Sequence, residues 1–325
     1  MTAKILHLGD DTDSVLQKAC AMLADGWPVA IPTETVYGLS ADATNPLAIT
    51  RIYETKGRPH FNPLISHVAD LAMAERYAVF DPVARRLAEC FWPGPLTMIL
   101  PLRPDSGIHP LATAGLDTVG IRVPKGFSSS LIRAFDKPLA APSANTSGRI
   151  SPTSAGHVAA DLGEKLKLII DGGPTPVGVE STIVRIEGDR IRLLRPGGVS
   201  ADQIEAATGL PIVRNGQPAT IIQAPGMLVS HYAPSAAVRL NVLALEAGEA
   251  LIRFGKLSVV GEDRANSVFN LSPSGDLAEA ATNLFDTLKR ADATGAQRIA
   301  VMPIPEHGLG EAINDRLTRA AAPRE

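Results

Sequence analysis

Apolar positions fall alternately into short strand-like runs and helical stripes over the first two thirds of the chain. Residues 4–8 read as a short strand, and Val15, Leu16, Ala19, Met22 and Leu23 then recur at helical spacing up to a stop at Gly26. Val29-Ala30-Ile31 is a brief apolar strand that runs into Pro32-Thr33-Glu34-Thr35-Val36-Tyr37-Gly38. Asn45-Pro46 reads as an N-cap with proline at the first helical position, followed by Ile49, Ile52 and Tyr53 on one face and Gly57 just past the end. Asp81-Pro82 repeats the device ahead of Val83, Leu87 and Cys90. Strands are predicted at Leu96–Leu100, Val119–Val123, Leu139–Ala141 and Leu166–Ile170, with Thr182–Ile186 and Arg190–Leu194 joined as a hairpin across Glu187-Gly188-Asp189. This alternation, up to about residue 206, predicts one α/β domain on a mixed sheet.

From Gly209 to Ser235 the pattern gives way to chain punctuated by proline and glycine, too long for a routine loop, which reads as an interdomain linker or lid. Beyond it come strand-like Val238–Leu243 and Leu257–Val260, then a helix capped by Asp276 with Leu277, Ala280, Ala281, Leu284, Phe285 and Leu288 on one face. A strand at Arg298–Met302 and a last helix carrying Leu309, Ile313 and Leu317 complete a smaller α/β domain with a partly parallel sheet. The expected division is therefore 1–208, a linker at 209–236, and 237–325.

Composition narrows the function classes. A chain of 325 residues has room for about two domains. With 45% apolar residues it can bury a core, and a net charge of −3 makes it no general nucleic-acid or membrane binder, so a basic site must be local. The two cysteines, Cys20 and Cys90, sit in apolar helical patterns and read as buried thiols, not as a paired metal site. Without a signal-like apolar block or a run near the ~18 residues of a membrane span, the expectation is a cytoplasmic protein with no membrane partner. P-loop, Gly-x-Gly-x-x-Gly, Gly-x-Ser-x-Gly and His-Glu-x-x-His motifs are all missing.

Candidate chemistry gathers at predicted strand ends. Thr55-Lys56-Gly57-Arg58-Pro59-His60-Phe61-Asn62-Pro63-Leu64-Ile65-Ser66-His67 places two cations around one glycine, which is either a solvated turn or one wall of an anion site. The Thr33–Thr35 hydroxyls follow an apolar strand, where α/β folds tend to bind ligands, though a polar turn has the same composition. Ala141-Pro142-Ser143-Ala144-Asn145-Thr146-Ser147-Gly148 offers small donors suited to phosphate oxygens, and Ser151-Pro152 reads as a helix start. Arg122, inside an apolar strand, and Arg195, at a strand end, each need a partner: a structural carboxylate or a ligand anion.

Set side by side, these loops resemble the YrdC family. The matching segments are Pro32–Leu39, Lys56–Pro59 with Asn62-Pro63-Leu64, Phe91–Thr97, Arg122-Val123-Pro124, Pro142–Asn145 with Ser147-Gly148, Glu180–Val184 and Leu194–Gly197. Ala224-Pro225-Gly226-Met227, His231-Tyr232-Ala233-Pro234 and Gly308–Ile313 match the family's long, two-domain form. The resemblance implies a twisted α/β catalytic domain with a concave basic cavity and a smaller Rossmann-like α/β/α C-terminal domain. It implies a nucleotidyltransferase that converts L-threonine, bicarbonate and ATP into threonylcarbamoyl-AMP and pyrophosphate. That product would pass to a tRNA threonylcarbamoyl transferase complex, which modifies the adenosine next to the anticodon.

By the family pattern, Lys56, Arg58, Ser143 and Asn145 would form the catalytic phosphate site, with Asn62, Thr118, Ser151, Arg195 and Tyr232 also on ATP. Thr35, His67, Arg122, Ser181 and the backbone at Ala141 would hold L-threonine, Arg122 clamping its carboxylate. Mg²⁺ would travel mainly on the phosphates of ATP, since these loops hold few carboxylates. Two departures stand out: Arg185 where the family commonly has Asp, and the less basic Leu228-Val229-Ser230 in the linker. A rival reading is an RNA-binding or ribosome-assembly module using the same cavity. Near-neutral charge and 4% aromatics weigh against it, so binding of tRNA or double-stranded RNA is expected to be weak. The related hydrogenase-maturation carbamoyl transferases need paired-cysteine zinc segments that Cys20 and Cys90 cannot supply.

Overall fold

The computed structural model describes residues 2–9, 11–214, 223–226 and 230–323. Met227, Leu228 and Val229 of the linker lie outside them. Along the chain come β1 (Lys4–His7), β2 (Val29–Ile31), β3 (Gly38–Asp42), β4 (Ile65–His67), β5 (Leu96–Pro101) and β6 (Thr118–Arg122). Next are β7 (Leu139–Ala140), β8 (Leu168–Asp171), β9 (Thr182–Glu187), β10 (Arg190–Arg195) and β11 (Ile212–Arg214). They form one sheet in the order β1-β8-β2-β3-β7-β4-β6-β5-β9-β10-β11. Parallel pairs such as β4/β6 and β5/β9 alternate with antiparallel ones such as β5/β6 and β9/β10, so the expected mixed α/β domain is what the chain forms. β11 carries this sheet on to Arg214. The predicted hairpin across Gly188-Asp189 is present.

The remaining strands, β12 (Ala237–Arg239), β13 (Ala250–Arg253), β14 (Ser267–Asn270) and β15 (Arg298–Val301), make a second sheet in the order β12-β15-β13-β14. All three of its pairs are parallel. The helices Leu277–Asp292 and Leu309–Ala321 bury Leu284, Phe285, Leu288, Ile313 and Leu317 in a core shared with Ala250, Ile252 and Ile299. That core also takes in Val36, Ile150, Val179 and Tyr232, so the second layer touches the loops of the first.

Several local expectations need correction. Leu257–Val260 is not a strand, and the strand expected over Val238–Leu243 ends at Arg239. Leu257 and Val260 are 76% and 72% exposed, apolar without being buried. The real interior strand, β13, is a short continuous apolar run, whose periodicity does not distinguish it from a helix segment. Ser151-Pro152 does not start a helix; the helix Ala155–Leu162 begins later, where the Ser154 side chain accepts from His157 N. Nor are both thiols buried: Cys90 is exposed because its helix turns Ala84, Leu87 and Ala88 inward, and Cys20 is half-buried.

Candidate active site

The helix Pro46–Lys56 starts as read: the Asn45 side chain accepts from Leu47 N and Ala48 N, and Pro46 occupies the first turn. It ends at Gly57, whose φ of 60° is left-handed; Gly57 N and Arg58 N donate back to Glu54 O and Tyr53 O. That reversal turns both flanking cations inward. Lys56 is 2% exposed and Arg58 7%, so the solvated-turn reading is excluded. Lys56 Nζ donates to Ser143 O at 2.6 Å and Asn145 O at 2.5 Å, clasping the serine-rich loop from behind. Burial first, and Arg58 second, bring its pKa down to about 7. Arg58 donates to Asn62 O at 3.2 Å and Pro63 O at 2.8 Å, and burial lowers its pKa to about 10.

Strand pairing sets the next group. β4 and β6 run parallel with His67 opposite Arg122, so both reach the same sheet end. Arg122 Nη2 lies 2.8 Å from Glu34 Oε1, and its Nε donates to Gly94 O at 3.2 Å. Glu34, whose other oxygen accepts from Lys125 N, thus gives Arg122 a structural carboxylate partner while Arg122 also lines the cavity. Burial, then Arg122, holds His67 well below the usual histidine pKa, so the ring is neutral. Arg195, at the end of β10, forks onto Ser181: its Nε and Nη2 donate to Ser181 O at 3.1 and 2.9 Å, and Nη2 also to Ser181 Oγ at 3.1 Å. Thr97 Oγ1 completes the support 2.8 Å from Ser181 Oγ.

The linker covers these groups. Pro225 O accepts from Arg195 Nη1 at 3.3 Å, and Ala233 N donates to Gly148 O at 2.9 Å. Tyr232 adopts a left-handed φ of 60°, is 1% exposed and stacks on Phe285 with centroids 5.5 Å apart. His231 meets the Tyr232 ring edge-on at 4.1 Å; burial depresses its pKa to about 3. Arg185, the departure from the family pattern, donates to Gln223 Oε1 at 2.7 Å and so ties β9 to the linker.

Together these elements bound a small cavity of about 50 Å³. Of the residues expected from the sequence, Thr35, Arg58, His67, Arg122, Ala141, Ser143, Ser181, Arg195 and Tyr232 line it. Lys56, Asn62, Asn145 and Ser151 lie behind this lining, each buried, and Thr118 lies at the opposite end of β6 from Arg122. Among the described residues, the Asn62 side-chain amide, Asn145 Oδ1, His67 Nδ1 and His231 Nδ1 have no hydrogen-bond partner, a costly state for buried polar atoms that hold no ligand.

Three lining or supporting groups were not singled out from the sequence. Glu34 and Glu180 stand in the sequence as lone carboxylates inside the matching loops, with no neighbouring residue that marks their partners. Arg316 had a weaker signal: it lies seven residues after Leu309, on the apolar face of its helix, where a cation is out of place. Among the described residues no group of three or more His, Cys, Asp or Glu could hold a metal ion. Nor is any described helix long and apolar enough to cross a membrane.

The fold and site define a two-sheet α/β protein whose ligand cavity is built from strand-end loops of the larger sheet and roofed by a linker. The family model for Sua5, YciO and YrdC, described as telomere recombination, matches residues 21–197, and that for the C-terminal domain of threonylcarbamoyl-AMP synthase matches residues 199–322. The chain belongs to the Sua5/YciO/YrdC family, in the form that carries this C-terminal domain. It is 42% identical to the threonylcarbamoyl-AMP synthase of Bacillus subtilis over 96% of this chain and 94% of the relative. Identity to the enzyme of that name from Pyrococcus abyssi is also 42%, over 94% of each. The crystal structure of Pyrococcus abyssi Sua5 complexed with L-threonine superposes with a TM-score of 0.88 at 38% identity, covering 98% of both chains.

Proposed function

We propose that this chain forms threonylcarbamoyl-AMP and pyrophosphate from L-threonine, bicarbonate and ATP, and that the product supplies the threonylcarbamoyl group of modified tRNA. The observation that carries the reading is the convergence of Arg58, Arg122 and Arg195 with the hydroxyls of Thr35, Ser143 and Ser181 on one roofed cavity. It is supported by full-length similarity to synthases of that name and by the L-threonine complex of a close structural neighbour.

The chemistry asks for such a lining. Threonine carbamate, formed as the threonine amine takes up bicarbonate with loss of water, is an anion, and its carbamate oxygen must form a bond to the α-phosphorus while the bond to the β-phosphate oxygen breaks and pyrophosphate leaves with the electron pair. Like charges resist that approach, so the protein's task is positioning and neutralisation. In this reading Arg58, Ser143 and Arg195 face the phosphates, with Lys56 and Asn145 shaping the Ser143 loop from behind and buried Asn62 and Ser151 supporting the same wall. Arg122, set by Glu34 and Gly94, takes the threonine carboxylate. Neutral His67, Thr35, Ser181 and the Ala141 backbone surround the amino acid without adding charge. Tyr232 shields the labile product from water. Mg²⁺ enters as part of the MgATP substrate. Pyrophosphate release should need ATP, L-threonine and bicarbonate together; release from ATP alone, or none with all three, overturns the reading.

A further inference from the structure

Arg316 is the largest fully buried side chain of the described residues, at 0% exposure on the helix Leu309–Ala321. Its Nε lies 2.7 Å from Glu180 Oε2, its Nη2 donates to Pro196 O at 3.0 Å, and its Nη1 pairs with Asp315 Oδ2 at 2.6 Å. The guanidinium carbon sits 5.1 Å from the centre of the Tyr232 ring. Asp315 also accepts from Arg319 Nε at 3.0 Å, and Arg319 O accepts from His231 N at 3.2 Å. The last helix therefore holds both ring residues of the roof.

Stability alone does not account for this arginine, because a well-packed apolar side chain at such a site is commonly as stable or more so. Glu180 supplies the reason. It lines the cavity, and Ser151 Oγ donates to its Oε1 at 2.5 Å. Arg195 is close enough to feel its charge, yet its described hydrogen bonds go to Ser181 and Pro225. A bare carboxylate here would repel polyphosphate and draw the Arg195 guanidinium away.

We propose that Arg316 is a positioning residue of the active site, contributed by the C-terminal layer, which neutralises Glu180 so that Arg195 stays available to the nucleotide's phosphates, and which seats Tyr232. The proposal rests on the reading that the cavity takes ATP. The groups facing Glu180 are Arg195 from β10, Ser151, His231 and Tyr232 from the linker, and Arg316 from the last helix, which Asp315 also holds. Burial pushes the Glu180 pKa up, but Arg316, Arg195 and the Ser151 hydrogen bond together hold it below the ordinary value.

The test compares full-length wild type, Arg316→Met, Glu180→Gln and the double variant by ATP binding and pyrophosphate-release kinetics. Arg316→Met should raise the Kd and KM for ATP about 10-fold or more, the usual scale for stranding one member of a buried pair, with a smaller change in kcat. ATP affinity of this variant should improve toward acid pH, as Glu180 takes up a proton, whereas the double variant should show no such rise and should regain most of the affinity. Should Arg316→Met fail to fold, Glu180→Gln alone still decides: it removes the negative charge and should bind ATP at least as tightly as wild type. A double variant as weak as Arg316→Met, an Arg316→Met indistinguishable from wild type, or a weakened Glu180→Gln overturns the proposal. Wild type that binds no ATP would instead refute the functional reading, so the two failures are distinct.

Discussion

Gly226→Ala puts the linker's closed position to a quantitative test. Gly226 lies at a φ of 83°, and a Cβ there would sit 2.9 Å from Arg195 Cδ and 3.0 Å from the Tyr232 hydroxyl. The left-handed backbone alone costs a non-glycine residue roughly 1–2 kcal/mol. Forcing a methyl against two well-held neighbours adds about 1–3 kcal/mol. The chain can escape this combined strain, about 2–5 kcal/mol, by letting the linker leave the cavity, which at ~1.4 kcal/mol per decade costs a factor of at least ~30 in closure. Steady-state pyrophosphate release should therefore fall at least ~30-fold, with the KM for ATP raised, while the melting temperature drops by less than about 3 °C because the strain is relieved locally. Wild-type kinetics in Gly226→Ala would refute the idea that the linker seats on Arg195 during turnover.

Other outcomes follow from the same geometry. Arg58→Ala should cut turnover by about 100-fold, the usual value of one preorganised electrostatic contact, with thermal stability near wild type since no described carboxylate is left unpaired. Lys56 should leave a pH signature in ligand-free unfolding. Its folded pKa, about 7, lies below the unfolded value, so between these two pH values the unfolded state binds more protons and the Lys56 contribution to stability rises with pH. Urea denaturation at neutral and at alkaline pH should show that rise in wild type and less of it in Lys56→Met; identical slopes would contradict the buried, depressed ammonium. Tyr232→Ala should spare the fold of the large sheet but raise abortive hydrolysis of the product, measured as AMP formed per threonylcarbamoyl-AMP; an unchanged ratio would remove Tyr232 from product protection.

Much of the scaffold was legible because its signals were local. Asn45-Pro46 and Gly57 marked one helix at both ends, and the Glu187–Asp189 turn marked the hairpin. β13 and β14 were not legible, since each is a four-residue parallel strand whose identity comes from its neighbours in the sheet. In the site, Arg122 and Arg195 could be suspected because a cation inside an apolar strand demands a partner. Lys56-Gly57-Arg58 could not be decided by its own residues: whether that turn faces water or the interior depends on where the Ser143 loop packs. Arg316 was readable in principle from its place on an apolar helix face, but Glu180, its partner, is 136 positions away.

The cavity is read as the place where carboxylated threonine is joined to the adenylyl group of ATP. Incubating the purified chain with isotopically labelled bicarbonate, L-threonine and ATP, and resolving the nucleotides by mass, tests it most directly. Labelled threonylcarbamoyl-AMP should form in equal amount to pyrophosphate. Pyrophosphate without the labelled adduct, or a plain threonyl adenylate in its place, would contradict it.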